Sequence, residues 1–288
     1  SYSSLKKAGL ASDTTGEEIF AESYLEPTVL SDINTFHKAV TFPHSFPRGA
    51  QTGIFLHGLL EWAARQGFEH LKSNQSLVRD TVARRCELRG WSRFIDPLTD
   101  WLLEWLTTPL DIPAVYGMTA TSITLADIPL AKPEMEFWLS VKPVHVSQLD
   151  QLVTQHTLVG HDRHPLLSSQ NNKLNGLLKG FIDLVFMHDG RYYLVDYKSD
   201  SLGTNDADYT SAAITAAVLR ERYDVQYSLY LLALHRHLQT RLPNYRYDQH
   251  VGGVIYLFLR GLHGPAQGLH VERPSAQGID ALDRLLVG

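Results

Sequence analysis

The chain has 288 residues, 44% of them hydrophobic, with 26 Lys and Arg against 31 Asp and Glu and a net charge of −5. That suffices for a sizeable core, as one large domain or two small ones, and it lacks the bulk basic footprint of a nucleic-acid binder. Its one cysteine, Cys86, excludes a disulfide framework and any four-cysteine zinc or iron–sulfur site, which predicts a reducing, cytoplasmic home.

In chain order, Ser1 to Lys7 holds neither an initiator Met nor an apolar signal stretch, as expected of a piece of a longer polypeptide. No apolar run reaches 18 residues anywhere, so no membrane span is expected. Phe42 to Gly49 reads as a loop by its prolines and glycine. Thr52 to Arg65 places apolar residues at 55, 56, 59, 60 and 63, an amphipathic helix with Thr52 as its N-cap. Leu98 to Leu106 is a second helix, with Trp101 and Trp105 on one face. From Glu134 the pattern turns to strands: Glu134 to Val141, then Phe181 to Met187 and Tyr192 to Tyr197. The last two are joined by a tight hairpin at Asp189-Gly190. The polar stretch His161 to Asn175, ahead of the hairpin, reads as an exposed loop. Tyr209 to Arg222 and Tyr223 to Gln239 are helices, and Gly253 to Leu259 is a buried strand by its continuous apolar run. The expected fold is α/β, a central mixed β-sheet flanked by helices, with a helical N-terminal half to about residue 130 and an α/β core from about 131 to 288.

The chemistry concentrates at the hairpin. Asp183 and Asp196 interrupt otherwise apolar strands, where a lone carboxylate costs several kcal/mol unless it is paired or metal-bound. Alternation along the strand turns Asp196 and Lys198 to one face and Tyr197 away from it. A carboxylate pair beside an ammonium on a rigid sheet can hold a hard divalent cation and assist attack by water. The same three residues on an ordinary surface hairpin would be plain solvated charges.

His57 lies four residues before Glu61, as a metal ligand, as half of a helical His–Glu pair or as a core histidine. Glu134 opens its strand as a possible second acid or as an exposed carboxylate. Tyr227 and Tyr230 suit a core, whereas Gln226, an amide among apolar neighbours, calls for a polar partner such as a phosphate oxygen. Arg84, Arg85, Lys198, Arg220, Arg222, Arg236 and Arg241 are the candidates for a local basic surface. No phosphate-binding Gly-x-x-x-x-Gly-Lys-Ser/Thr loop, nucleophile elbow or dinucleotide fingerprint is present, so no ATP site of the P-loop kind is expected.

Taken together, Gly53-x-x-x-His57-x-x-x-Glu61, Gly180-Phe181-Ile182-Asp183, Asp196-Tyr197-Lys198 and Gln226-Tyr227-x-x-Tyr230 resemble the PD-(D/E)xK nuclease superfamily. More narrowly they resemble the C-terminal nuclease domains of the RecB family. The opening Ser1 to Leu5, Phe46 to Gly49 and Gly252 to Gly261 extend the likeness over nearly the whole chain. Gln66 to Lys132 and Ser140 to Asn175 lie outside it.

The resemblance implies a single restriction-endonuclease-like nuclease domain over residues 1–288, an exonuclease and single-strand endonuclease that cuts DNA largely independently of sequence. It implies a metal, Mg²⁺ with Mn²⁺ as a substitute, held by His57, Asp183, Asp196 and the Tyr197 carbonyl. Lys198 would then act on the attacking water, Glu134 would be a secondary acid, and Gln226 and Tyr227 would support the site. RecC and RecD subunits, RecA, and single-stranded DNA are the implied partners in double-strand-break repair and recombination; no iron–sulfur cluster is implied. The alternatives are an inert nuclease-like scaffold and a stand-alone restriction or repair endonuclease.

Overall fold

The computed structural model describes residues 41–115, 117–166 and 173–287, so the opening Ser1 to Leu5 phrase lies outside the described residues. Four helices come first: α1 (Ala50–Gln66), α2 (Phe68–Ser73), α3 (Gln75–Glu87) and α4 (Ile95–Thr107). The N-cap of α1 is Gly49 rather than Thr52, which is buried inside the first turn. Gly49 sits at φ 105, a conformation that glycine adopts without a Cβ clash, and this lets the chain turn out of the proline loop. A small antiparallel ribbon follows, β1 (Leu110–Ile112) with β2 (Thr121–Ile123).

The rest of the chain builds the sheet. Its elements are β3 (Ala131–His145), α5 (Val146–His156), β4 (Lys173–His188), β5 (Arg191–Lys198), α6 (Ser211–Glu221), α7 (Tyr223–Arg241), α8 (Tyr247–His250), β6 (Val251–Phe258), β7 (Leu269–Glu272) and α9 (Ala276–Leu286). The five strands lie in the order β3-β4-β5-β6-β7. Neighbours are antiparallel except β5 and β6, which are parallel because α6 and α7 carry the chain back across the sheet. The expected mixed sheet is therefore present. The β4–β5 turn has Asp189 at φ 48 and Gly190 at φ 75, the two positive values that an Asp-Gly hairpin supplies. Strand β7 and the β1–β2 ribbon are short and carry no clear alternation, and the sequence reading misses them.

Each face of the sheet has its own apolar core. Leu194, Val254, Tyr256 and Phe258 meet α5, α6, α7 and α9 on one side. Tyr193, Val195, Tyr197, Ile255 and Leu257 meet α1 to α4 on the other. Trp101 and Trp105, four apart on α4, share a helical face, and both indole N–H groups donate to the Leu259 carbonyl, at 3.2 and 3.3 Å.

Buried charges pin the connecting segments. Arg260, only 2% exposed, donates to the carbonyls of Pro43, Phe46 and Pro47 at 2.6, 3.1 and 2.6 Å. The loop that leads into α1 is thereby tied to the end of the sheet. His161 to Asn175 is not simply an exposed loop: Lys173 already begins β4, and Arg163 is buried against Asp224 at 2.6 Å. Asp224 is also gripped by Arg222, whose own guanidinium reaches Asp150 at 2.6 Å. Residues 167–172 lie outside the described residues. No helix among the described residues is long and apolar enough to cross a membrane.

His270 on β7 is buried beside the rings of Tyr227 and Tyr256, and burial lowers its pKa from the usual 6.5 to about 4. Between those values the unfolded chain binds the proton and the folded chain refuses it, so stability falls as pH drops. This one group should remove about 2 kcal/mol between pH 6.5 and pH 5. Urea unfolding of the parent and of His270→Gln across that range should give a shallower slope for the variant; identical slopes would refute the assignment.

Candidate active site

The site forms where β4 and β5 part. Their pairing runs from His188 opposite Arg191 to Leu184 opposite Val195 and then stops. One step further Asp183 would face Asp196, and two carboxylates directly opposed repel. Instead the Tyr197 N–H donates to Asp183 Oδ2 at 2.7 Å, so a side chain takes over from a backbone carbonyl.

On its other edge β4 pairs with β3 on both sides of the same step, Pro133 with Leu184 and Met135 with Ile182. Between them Glu134 adopts φ 48, a left-handed conformation costing about 1–2 kcal/mol in a residue other than glycine. Both strands change sides here. Ile182 and Met135 pack towards α7, whereas Leu184 and Ala131 pack towards the α1–α4 side.

Lys198 is held from four directions. Its Nζ lies 2.6 Å from Asp196 Oδ2 and donates to Gln226 Oε1 at 2.9 Å. The same ammonium sits 3.7 Å from the ring centre of Tyr223 and 4.7 Å from that of Tyr256. Gln226 is fixed in turn: the Tyr256 hydroxyl donates to its oxygen at 2.8 Å, and its Nε2 donates to Tyr230 at 2.9 Å. The expected partner of this amide, a phosphate oxygen, is thus replaced by the lysine and two tyrosines. Tyr223 donates to Asp200 at 3.1 Å, which orients the ring beneath the ammonium.

Helix α1 brings His57 from the opposite side. Its Nδ1 is 3.4 Å from Asp183 Oδ2, and its ring stands edge-on to Tyr197. Glu61 is not its partner, because Arg65 claims that carboxylate at 2.7 Å. A Cβ added at Gly53 would come within 2.9 Å of Ser199 Oγ, so α1 passes directly over the residue after Lys198.

Charge is crowded here. Burial, and after it Asp183, raise the Asp196 pKa to about 6 although Lys198 pulls the other way. Burial and the charges of Asp183 and Glu61 likewise raise Glu134. For His57, burial lowers the pKa, but Asp183 and Asp196 outweigh it and the net direction is upward.

The structure therefore gathers His57, Glu134, Asp183, Asp196, the Tyr197 backbone, Lys198 and Gln226 at one strand fork. Tyr227 stays in the core, edge-on to Tyr256 and one ring removed from Lys198. The sequence reading gave no site role to Tyr223, Tyr256 or Asp200. Tyr223 and Tyr256 lie in quoted family phrases, and only their proximity to Lys198 reveals the role. Of the candidates for a local basic surface, Lys198 and Arg222 are instead buried in ion pairs, Arg85 donates to the Gly58 carbonyl and Arg236 pairs with Asp283.

Comparison with known proteins agrees with this geometry. Residues 38–286 match the PD-(D/E)XK nuclease superfamily, and the chain belongs to it. It is similar to the RecBCD enzyme subunit RecB of Escherichia coli, 43% identical over 249 residues, covering 85% of this chain and 20% of that one. The RecB subunit of Haemophilus influenzae is 38% identical over 240 residues, covering 82% and 18%. That of Mycobacterium tuberculosis is 30% identical over 247 residues, covering 80% and 22%. The chain thus spans about a fifth of the length of these relatives. It is a nuclease domain of the RecB type, a hydrolase by class.

Nucleases of this superfamily depend on divalent metal. Among the described residues no three His, Cys, Asp or Glu side chains stand ready as a metal cage. Asp196 is turned onto Lys198, and Asp183 onto the Tyr197 N–H. The donor chemistry nevertheless fits: hard carboxylate oxygens and one imidazole, crowded enough that a buried carboxylate is pushed towards protonation.

The buried Asp196–Lys198 pair has a testable energetic signature. Removing one partner leaves the other charge uncompensated, whereas removing both does not. Asp196→Ala should cost about 3 kcal/mol, and the double variant Asp196→Ala with Lys198→Met should cost less. Denaturant unfolding of parent, single and double variants decides it; simple additivity would contradict the pairing.

Proposed function

We propose that residues 1–288 form one DNA-cutting unit of a helicase–nuclease, hydrolysing phosphodiester bonds as an exonuclease and single-strand endonuclease. The observation that carries this reading is the fork itself, where Lys198 is locked beside Asp196 and a strand's width from Asp183. An inert scaffold has no use for a buried ammonium caged by a glutamine and two tyrosines at the end of a strand.

Mg²⁺, with Mn²⁺ as a substitute, would be held by His57, Asp183, Asp196 and the Tyr197 carbonyl, with Glu134 as a further acid close by. When bound, the metal supplies Lewis acidity at a non-bridging phosphate oxygen. Lys198 orients the attacking water and offers positive charge as negative charge builds on the phosphorus oxygens. Gln226, backed by Tyr256 and Tyr230, keeps Nζ at the fork, and Tyr227 packs behind that layer. Among the described residues, those at the fork make no obvious base-reading set, which supports cleavage with little regard to sequence.

The relatives are RecB subunits of a RecBCD enzyme, which supports RecC and RecD as partners and a role in double-strand-break repair and recombination; RecA as a further partner and a cytoplasmic location belong to the same proposal. The sequence carries no phosphate-binding loop for a motor, so cleavage by this chain needs metal but not ATP.

His57→Ala should weaken metal binding about 10- to 100-fold, read by calorimetric titration with Mn²⁺, while cleavage returns at higher metal concentration. An unchanged metal requirement would remove His57 from the ligand set. In a second assay, end-labelled single-stranded DNA should be degraded far faster than blunt linear duplex, with Mg²⁺ and no ATP, and more slowly as salt rises. Equal rates on the two substrates, or a need for ATP, would overturn the proposal.

A further inference from the structure

Beyond the fork, β3 and β4 run on together as a two-stranded ribbon from Met135 opposite Ile182 to Val141 opposite Gly176. One face is ordinary core: Phe137, Leu139, Val141, Leu178 and Ile182 are buried against the α7 side. The other face alternates outwards, and what it presents is not an ordinary polar surface. Trp138 is 53% exposed, Phe181 44% and Leu177 61%. Lys179 lies directly opposite Trp138, and Phe181 opposite Glu136. The Lys179 ammonium stands over both rings, 4.7 Å from Trp138 and 5.2 Å from Phe181.

We propose that Trp138, Phe181 and Lys179 form a stacking platform that binds single-stranded nucleic acid and leads it to the fork at Asp183. The inference rests on the nuclease reading for its direction, but the platform is read from its own residues. Exposed rings flanking a cation are the combination that single strands use, since each base has a π-face for an aromatic ring and each phosphate wants a positive charge. A duplex hides those faces within its own stack, so the platform selects single strands.

Lys179 is available for this. Its ion pair with Glu136, at 2.9 Å, is solvent-exposed on both sides, and such a pair contributes little. The ammonium can exchange that carboxylate for a phosphate. Phe181 and Asp183 are two residues apart along β4, about 7 Å, or roughly two nucleotides of stacked strand. Asp183 reaches His57 on α1, on the side opposite the α7 core, which is also the side that Phe181 faces. A strand lying on the rings therefore runs towards the carboxylates without crossing the sheet.

The test separates binding from chemistry. Binding of dye-labelled oligothymidylate and of a blunt duplex is measured by anisotropy in EDTA at low salt, so that no cutting occurs. Trp138→Ala and Phe181→Ala should each weaken oligothymidylate about 5- to 100-fold and leave duplex binding unchanged, and Trp138→Phe should keep most of the affinity. The Trp138→Ala variant should hydrolyse the p-nitrophenyl ester of thymidine 5′-phosphate, too small to reach that ring four residues along the ribbon from Asp183, at the parent rate. Parental affinity for oligothymidylate in both alanine variants would overturn the platform and leave the face to a protein partner. Equal losses for duplex and single strand would overturn it as well. Failure of the parent to hydrolyse the ester would strike the nuclease reading instead, and the EDTA titration would still decide the platform.

Discussion

The acceptance of the Tyr197 N–H by the Asp183 carboxylate is the interaction on which the site depends. It ends the β4–β5 ladder where two acids would otherwise meet head on, and it does so without leaving a buried donor unpaired. The fork that results separates Asp183, on the side of α1, from Asp196 and Lys198, on the side of α7. A continuous ladder would have kept all three groups on a flat, dry surface. The left-handed turn of Glu134 on the neighbouring strand belongs to the same adjustment, since β3 must follow β4 as it changes sides.

The remainder of the fold holds that fork from both faces. Arg260 ties the loop before α1 to the sheet, and Gly53 lets α1 pass close enough for His57 to face Asp183. On the far side Asp224 and its two arginines fix the start of α7, the helix that delivers Gln226 and seats Tyr223 under Lys198. Two of the deepest charges in the protein are thus spent on the termini of helices that carry site residues.

Much of this was legible in the sequence, and the reasons are physical. Acids interrupting apolar strands around an Asp-Gly turn announce the fork, because carboxylates there are costly without partners. Strands β3 to β6 and helices α1, α4, α6 and α7 follow from periodicity, whereas α2, α3, α5, α9 and β7 do not. The N-cap of α1 did not, since Gly49 caps through backbone freedom and not through a side chain, whereas Thr52 has the expected chemistry in the wrong place. The ring cage around Lys198 was hidden because Tyr223 and Tyr256 lie 25 and 58 residues away in sequence and look like core aromatics. Arg163 and Arg222 were misread for the complementary reason: a charge buried in a network looks the same in sequence as one in water.

The parallel pairing of β5 with β6 has a consequence for synthesis. Lys198 at the end of β5 waits for α6, α7 and β6 before Gln226, Tyr223 and Tyr256 can surround it. Such non-local closure is slow, and it waits until Tyr256, 58 residues after Lys198, has been made. Until then the two acids and the lysine sit on an unfinished edge with nothing to hold the ammonium in place. A chain made only as far as Lys198 therefore holds the two acids of the fork but not the aromatic and amide cage around its lysine.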